Sequence, residues 1–179
     1  MKLTWFGGRT LRVHAGGEIG VIREAADPAG FDARELVSGA DHVWQLDAAQ
    51  GESDLARWRP RRAATVLEQG ESAAPAETAR YHAGEGCGLF EVPGEPPLAL
   101  VWSMPPELGR WLSDAVAVVM AETGEAATRY GAALIGMRPP RLILLAVPAG
   151  EVDVAFGALA PLAGDTGLMV LEPALGLEV

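Results

Sequence analysis

The side chains that could do chemistry in this chain are few and scattered. Among 179 residues there are three histidines, His14, His42 and His82. Each divalent ion in a hydrolytic site takes three or four nitrogen, oxygen or sulfur ligands, so three histidines are too few for a dinuclear centre. We expect His14 to face solvent from a strand and His42 to pack at the start of another. For His82 we consider two roles, a structural one, which the absence of a partner cluster favours, and a functional one.

Ser103 and Cys87 are the candidate nucleophiles. Ser103 ends a predicted strand in the sequence Val-Trp-Ser-Met-Pro, which lacks the G-x-S-x-G elbow that exposes a catalytic serine. Cys87 lies between two glycines and would react only if the pKa of its thiol were depressed. The sequence therefore favours a polar strand end for Ser103 and a small residue in a turn for Cys87.

The charge of the chain argues against a nucleic-acid partner. It has 24 acidic and 14 basic residues, a net charge of −10, which repels phosphate backbones. The one basic cluster lies in residues 57–62, where four arginines surround Trp58. Such a cluster can stack on bases but is typical of a solvated loop, so we expect no nucleic acid.

The predicted location is cytoplasmic, with no membrane partner. The single cysteine excludes an internal disulfide. Met1–Trp5 has the pattern of a strand and lacks the basic-then-apolar layout of a secretory signal. The most apolar run, Leu142–Val147, is far too short to span a bilayer.

The first part of the chain predicts antiparallel hairpins followed by a short helix. Paired glycines at 7–8 and 16–17 separate short runs of β-forming residues. Asp32 is a candidate N-cap with Glu35 as its capping-box partner. Strands are predicted at 2–6, 10–14, 19–23 and 42–46.

The rest of the chain predicts alternating strands and helices. Strands are predicted at 78–82, 88–92, 98–102, 115–120, 142–147, 168–171 and 175–179. Helices are predicted at 125–137 and 152–159. The apolar faces are predicted to consist of Ala126, Tyr130, Ala133, Leu134 and Met137 in the first helix, and of Val152, Ala155, Phe156 and Leu159 in the second. Together these elements indicate one α/β domain, residues 1–179, with mixed sheets covered by helices.

Several segments also resemble a known family. The opening Met-Lys-Leu-Thr-Trp-Phe-Gly, the capped helix leading into Ala40–Val43, and the stretches 141–148 and 169–178 are the most similar. They resemble the metallo-β-lactamase superfamily, specifically its ascorbate-6-phosphate-lactonase-like branch of metal-dependent hydrolases. The resemblance implies a shortened four-layer αββα sandwich with mixed sheets.

The metal ligands that this resemblance implies are missing. The signature H-x-H-x-D-H falls on residues 47–52, which read Asp-Ala-Ala-Gln-Gly-Glu, so alanine and glycine occupy two of the four ligand positions. The family's Gly-Asp-Thr segment falls near 102–104 and its late histidine at Val147. The literal Gly-Asp-Thr at 164–166 is better explained as a turn after a helix. Only the middle histidine is retained, as His82.

The resemblance therefore implies a pseudoenzyme with no catalytic residue, metal or cofactor, acting as a binding or interaction module. The expected ligand-binding residues are the remnant pocket His82, Asp47, Glu52, Trp102 and Ser103. The apolar side chains Trp102, Met104 and Val147 would fill the former metal site or line a ligand pocket. The partner is a small molecule or a protein, and open sheet edges make a homodimer an option. The alternative is a remodelled hydrolase of esters or lactones with a metal-independent or mononuclear site.

Overall fold

The structure, a computed structural model, describes residues 1–26, 28–47, 54–61 and 79–179. The strands in these ranges are β1 (Lys2–Trp5), β2 (Leu11–Ala15), β3 (Glu18–Arg23), β4 (His42–Gln45), β5 (Arg80–Ala83), β6 (Cys87–Glu91), β7 (Leu98–Val101), β8 (Val116–Met120), β9 (Leu142–Ala146), β10 (Gly167–Val170) and β11 (Gly176–Glu178). The α-helices are α1 (Ala33–Leu36), α2 (Gly124–Met137) and α3 (Val152–Leu159). Short 3-10 helices lie at Arg110–Asp114 and Ala149–Glu151.

The smaller sheet is built mainly from the N-terminal hairpins. Its strand order is β11-β1-β2-β3-β4, and all its pairings are antiparallel except that of β3 with β4. Gly16 and Gly17 form the turn between β2 and β3 with φ of +61° and +83°, values that glycine adopts without steric cost. The predicted N-cap is confirmed, because the Asp32 carboxylate accepts a hydrogen bond from the Arg34 amide at 2.7 Å.

The larger sheet has the strand order β10-β9-β8-β7-β6-β5. The strands β5, β6 and β7 pair antiparallel, whereas β7 to β10 are parallel. The 3-10 helix Arg110–Asp114, α2 and α3 connect the parallel strands in turn. The chain then crosses to the smaller sheet, where β11 pairs with β1.

Two apolar cores lie on the two faces of the larger sheet. The inter-sheet core joins both sheets through side chains such as Trp5, Phe90 and Met120. The helix-side core joins the other face to α2, α3 and Trp111. Alternate residues of β9 lie in opposite cores, Leu144 in the first and Leu145 in the second. The predicted burial of this apolar strand on both faces is therefore confirmed.

The buried face of α2 matches the predicted one only in part. Its buried residues are Gly124, Ala127, Gly131 and Leu134, of which only Leu134 belongs to the predicted face. The glycines allow close packing, since a Cβ at Gly131 would lie 2.8 Å from Leu159 Cδ1. Tyr130 and Met137 of the predicted face are partly buried against the helix-side core, whereas α3 approaches along the glycines.

The predicted face of α3 holds in part, because Ala155 and Leu159 are buried while Phe156 is 39% exposed. The α/β class with two mixed sheets is confirmed.

On the outer side of the smaller sheet, Arg12 Nη2 donates to the Ser38 carbonyl at 2.9 Å, so the segment after α1 lies against that face. Within the described ranges, none of the helices combines the length and the hydrophobicity needed to cross a membrane.

Candidate functional site

The structure places the predicted pocket residues on both sides of the larger sheet. His82 pairs in register with Leu89, a residue of the helix-side core, and therefore faces the helices. Trp102 packs in the inter-sheet core. Asp47 lies near Tyr81, which belongs to that same core. The sheet thus separates His82 from Trp102 and Asp47, while Glu52 lies outside the described residues.

Ser103 lies beside the turn between β5 and β6. Its amide donates to the Gly86 carbonyl at 3.1 Å, and a Cβ at Gly86 would overlap its hydroxyl. The imidazole of His82 is instead directed toward Glu91, at the opposite end of β6. The two side chains therefore do not form a serine–histidine pair.

Glu91 is the charged group around which His82 is organised. The Glu91 side chain is only 6% exposed. Its Oε1 lies 3.3 Å from His82 Nε2 and 2.7 Å from Arg61 Nε. Its Oε2 is buried and has no hydrogen-bond partner among the described residues. A buried carboxylate oxygen without a partner is costly, so a hydrogen-bond donor that reached this atom would stabilise the cluster.

Three structural elements bring this cluster together. His82 comes from β5 and Glu91 from β6, whose residues are all buried. Arg61 comes from the segment 54–61, which crosses the helix-facing side of the larger sheet. Trp111 Nε1 fixes that segment by donating to the Leu55 carbonyl at 2.7 Å, and Leu55 itself is part of the helix-side core. The position of Arg61 thus depends on a buried tryptophan far along the sequence.

A cleft of about 450 Å³ opens over Glu91, and we call it the Glu91 cleft. Trp58 and Pro60 form one wall, and the loop between β6 and β7, residues 92–97, forms another. Arg61, Asp114 and Arg141 add charged groups to the lining. The cleft therefore combines apolar ring surfaces with one deeply buried carboxylate, an arrangement that is common in small-molecule sites.

Burial keeps the Cys87 thiol and the neighbouring Tyr81 hydroxyl protonated. Cys87 is the first residue of β6, and burial raises the pKa of its thiol to about 12. Burial also raises the pKa of Tyr81 above its ordinary value, with smaller contributions from Cys87 and Asp47. The Tyr81 hydroxyl donates to the Leu46 carbonyl at 2.7 Å. Both groups are neutral at physiological pH, and the thiolate needed for attack is suppressed.

The expected apolar filling of a single former site is wrong in part. Trp102 packs in the inter-sheet core and Val147 in the helix-side core, on the opposite face. Met104 is 56% exposed and fills neither core. The sheet lies between the first two side chains, and the third projects toward solvent.

His14 is exposed on β2, as predicted, whereas His42 contacts two neighbouring side chains. His42 stacks on Trp44 with ring centroids 5.0 Å apart, and its Nε2 lies 3.4 Å from Glu18 Oε2. The Gly-Asp-Thr at 164–166 lies in a turn after α3, as predicted, and Gly164 has φ of +57°. Gly164 is not the C-cap of the helix, however, because that position is Ala160. In the part of the chain that the structure describes, no three His, Cys, Asp or Glu side chains are grouped so that they could hold a metal ion.

Sequence reasoning missed Glu91 as a site residue. One signal could have found it, because Glu91 follows Leu89 by two residues in a predicted strand and so shares its face. An acidic residue among Leu89, Phe90 and Val92 is expected to be buried and paired. Nothing in the sequence indicated that Arg61 would be its partner.

Comparisons of the chain with protein-family models, curated proteins and solved structures find no significant match.

Proposed function

We propose that this chain is a non-catalytic binding module of metallo-β-lactamase-like fold, and that its ligand site is the Glu91 cleft. The observation that carries the proposal is the buried Glu91 carboxylate, whose Oε2 has no hydrogen-bond partner within the described ranges. Desolvating such an oxygen without a hydrogen bond costs about 1–3 kcal/mol, which a ligand with a donor group would recover.

The chemistry of the cleft favours an organic amine. A carboxylate oxygen accepts, and a charged N–H donor gives the stronger hydrogen bond. Trp58 and the prolines at 60, 93, 96 and 97 offer apolar surface for the body of the ligand. A cation close to the face of Trp58 would gain a further attraction from the indole ring. An amine whose body is a flat aryl ring or an alkyl group fits these features.

The contacts of the candidate catalytic groups support a binding role. His82 Nε2 is engaged by Glu91, Ser103 lies away from His82, and burial keeps the Cys87 thiol protonated. A nucleophile needs a base within hydrogen-bond reach or a depressed pKa, and neither condition is met by Ser103 or Cys87. The ligand would therefore be held and released unchanged.

The proposed fold type is the shortened four-layer sandwich that the sequence resemblance implies. The facing mixed sheets, the helical layer over the larger sheet and the segment after α1 over the smaller one support it. The outer layer on the smaller sheet would then be reduced to the single turn of α1.

The test is calorimetric titration with two probes of similar size and charge. Benzylamine carries N–H donors, whereas benzyltrimethylammonium carries none. We expect benzylamine to bind at one site and to bind more tightly than its trimethyl analogue. Glu91→Gln should weaken benzylamine binding at least tenfold, a loss of about 1.4 kcal/mol, because the charged acceptor is removed.

The matched control is Glu107→Gln, an exposed carboxylate outside the cleft. It should leave benzylamine binding unchanged, and circular dichroism should confirm that both variants fold. Equal binding by Glu91→Gln and the unaltered protein would refute the site.

The same preparations distinguish the hydrolase alternative. We expect no turnover of p-nitrophenyl acetate or γ-butyrolactone above the buffer rate, and less than one equivalent of bound zinc, manganese or iron. Turnover that is abolished by His82→Ala would replace the binding module by a remodelled hydrolase.

A further inference from the structure

A second cleft adjoins the Glu91 cleft and shares Trp58, Pro60 and Asp114 with it. It has a volume of about 810 Å³, and we call it the basic cleft. Its lining comes from the segment 54–61 and from the 3-10 helix Arg110–Asp114. The lining side chains that matter for its chemistry are Arg57, Arg59, Arg110, Trp58, Trp111 and Asp114.

The basic cleft concentrates positive charge in an acidic protein. Three arginines line it against one carboxylate, Asp114, although the whole chain has a net charge of −10. Arg59 and Arg110 are exposed and form no ion pair within the described ranges. Arg57 lies 3.4 Å from Asp54, but its side chain is 90% exposed, so that pair is weak and readily exchanged. The guanidinium groups of this cleft are thus available to an anion.

The arginines are held on a rigid base. The Trp111 indole donates to the Leu55 carbonyl, and the two tryptophan rings meet edge-on at 5.5 Å. A Cβ at Gly109 would lie 2.5 Å from the Ala56 carbonyl oxygen, so the 3-10 helix and the segment are in direct backbone contact there. Arg59 and Arg110 therefore approach the cleft from two elements that are fixed to each other.

We propose that the basic cleft binds a phosphorylated small molecule that carries a planar ring. The phosphates interact with Arg59 and Arg110, because a guanidinium group presents a fork of N–H donors that matches phosphate oxygens. The ring stacks on Trp58, which is half-buried and lines the cleft. Glu91 does not line this cleft, and Arg59 and Arg110 do not line the Glu91 cleft, so the proposal does not depend on the function proposed for Glu91, although both clefts share Trp58.

The test uses adenosine diphosphate and inorganic pyrophosphate as probes in calorimetric titrations. Both should bind with one-site stoichiometry, and both should weaken as sodium chloride rises from 50 to 200 mM, since exposed charges are screened by salt. Adenosine diphosphate should bind at least fivefold more tightly than pyrophosphate. Trp58→Leu should remove this difference while leaving pyrophosphate binding within twofold.

Two double variants separate the site from general charge. Arg59→Gln/Arg110→Gln should weaken both probes at least tenfold. Arg34→Gln/Arg129→Gln removes the same charge from exposed positions on α1 and α2 and should have less than a twofold effect. Thermal melts of all variants check folding.

Three results would overturn the inference. They are the absence of saturable binding at 50 mM salt, an equal loss in both double variants, and tighter binding of a single-stranded oligonucleotide than of adenosine diphosphate. Failure of benzylamine binding in the Glu91 cleft would leave these outcomes unchanged.

Discussion

Replacing three glycines of the helical layer by alanine should change stability in opposite directions. Gly136 lies on an exposed part of α2, and a Cβ there would meet no atom within 4 Å. Gly131 and Gly124 face α3, where a Cβ would lie 2.8 Å from Leu159 Cδ1 or 2.6 Å from Val154 Cβ. The three substitutions add the same methyl group to one helix, so their effects differ through the surroundings of each residue and its position in the helix.

The expected magnitudes follow from helix propensity and from overpacking. Gly136→Ala should increase the free energy of unfolding by about 0.5–1 kcal/mol, the gain of alanine over glycine in a helix. Gly131→Ala has the same gain, but overpacking costs about 1–3 kcal/mol, because the Leu159 side chain is fully buried in the helix-side core. Its net effect is a loss of about 1 kcal/mol.

Gly124→Ala should be the most damaging of the three. The obstructing atoms are Val154 Cβ and, at 2.7 Å, the Glu151 carbonyl oxygen. Both are fixed by the backbone, so relief requires a shift of α3 itself. Gly124 is also the first residue of α2, where the propensity gain is small. The expected loss is about 2–3 kcal/mol.

Urea unfolding, followed by circular dichroism and tryptophan fluorescence, measures these differences. The order of midpoints should be Gly136→Ala, the unaltered protein, Gly131→Ala and Gly124→Ala. For a chain of this size each kcal/mol shifts the melting temperature by about 2–4 °C. A stabilising effect of Gly124→Ala would refute the close packing of α2 on α3.

Three further predictions concern other parts of the molecule. Cys87 should resist iodoacetamide in the folded protein at pH 8, because the pKa of its thiol is raised to about 12, and rapid labelling without urea would contradict this. Trp111→Phe should lower the free energy of unfolding in urea by about 1–3 kcal/mol, because the hydrogen bond to the Leu55 carbonyl is lost. Trp58 makes no such bond among the described contacts, so Trp58→Phe should lower that free energy by less. The uncharged strand β10 pairs only with β9 in the described chain, and Met169 on it is 43% exposed. We therefore expect analytical ultracentrifugation to show a dimer whose dissociation constant rises in Met169→Lys and is unchanged in Leu175→Lys. A monomer at all protein concentrations would contradict this.

The sequence by itself determined where the elements lie. Paired glycines, the Asp32 cap and the change from period 2 to period 3.6 are local signals, and the predicted strands and helices match the observed ones closely. Two of the described elements were missed, the 3-10 helices Arg110–Asp114 and Ala149–Glu151, because a single turn leaves no periodic pattern. The apolar strand at 142–147 also indicated its double burial, since no polar face was present.

Only the tertiary structure decided which side chains meet. The buried face of α2 depends on how closely α3 approaches, and small residues give no hydrophobic signal of that contact. His82 and Glu91 are neighbours because β5 and β6 pair in one particular register, and Arg61 joins them because Trp111 anchors its segment. These are contacts between residues distant along the chain, and a sequence read locally carries no record of the register or the docking that creates them.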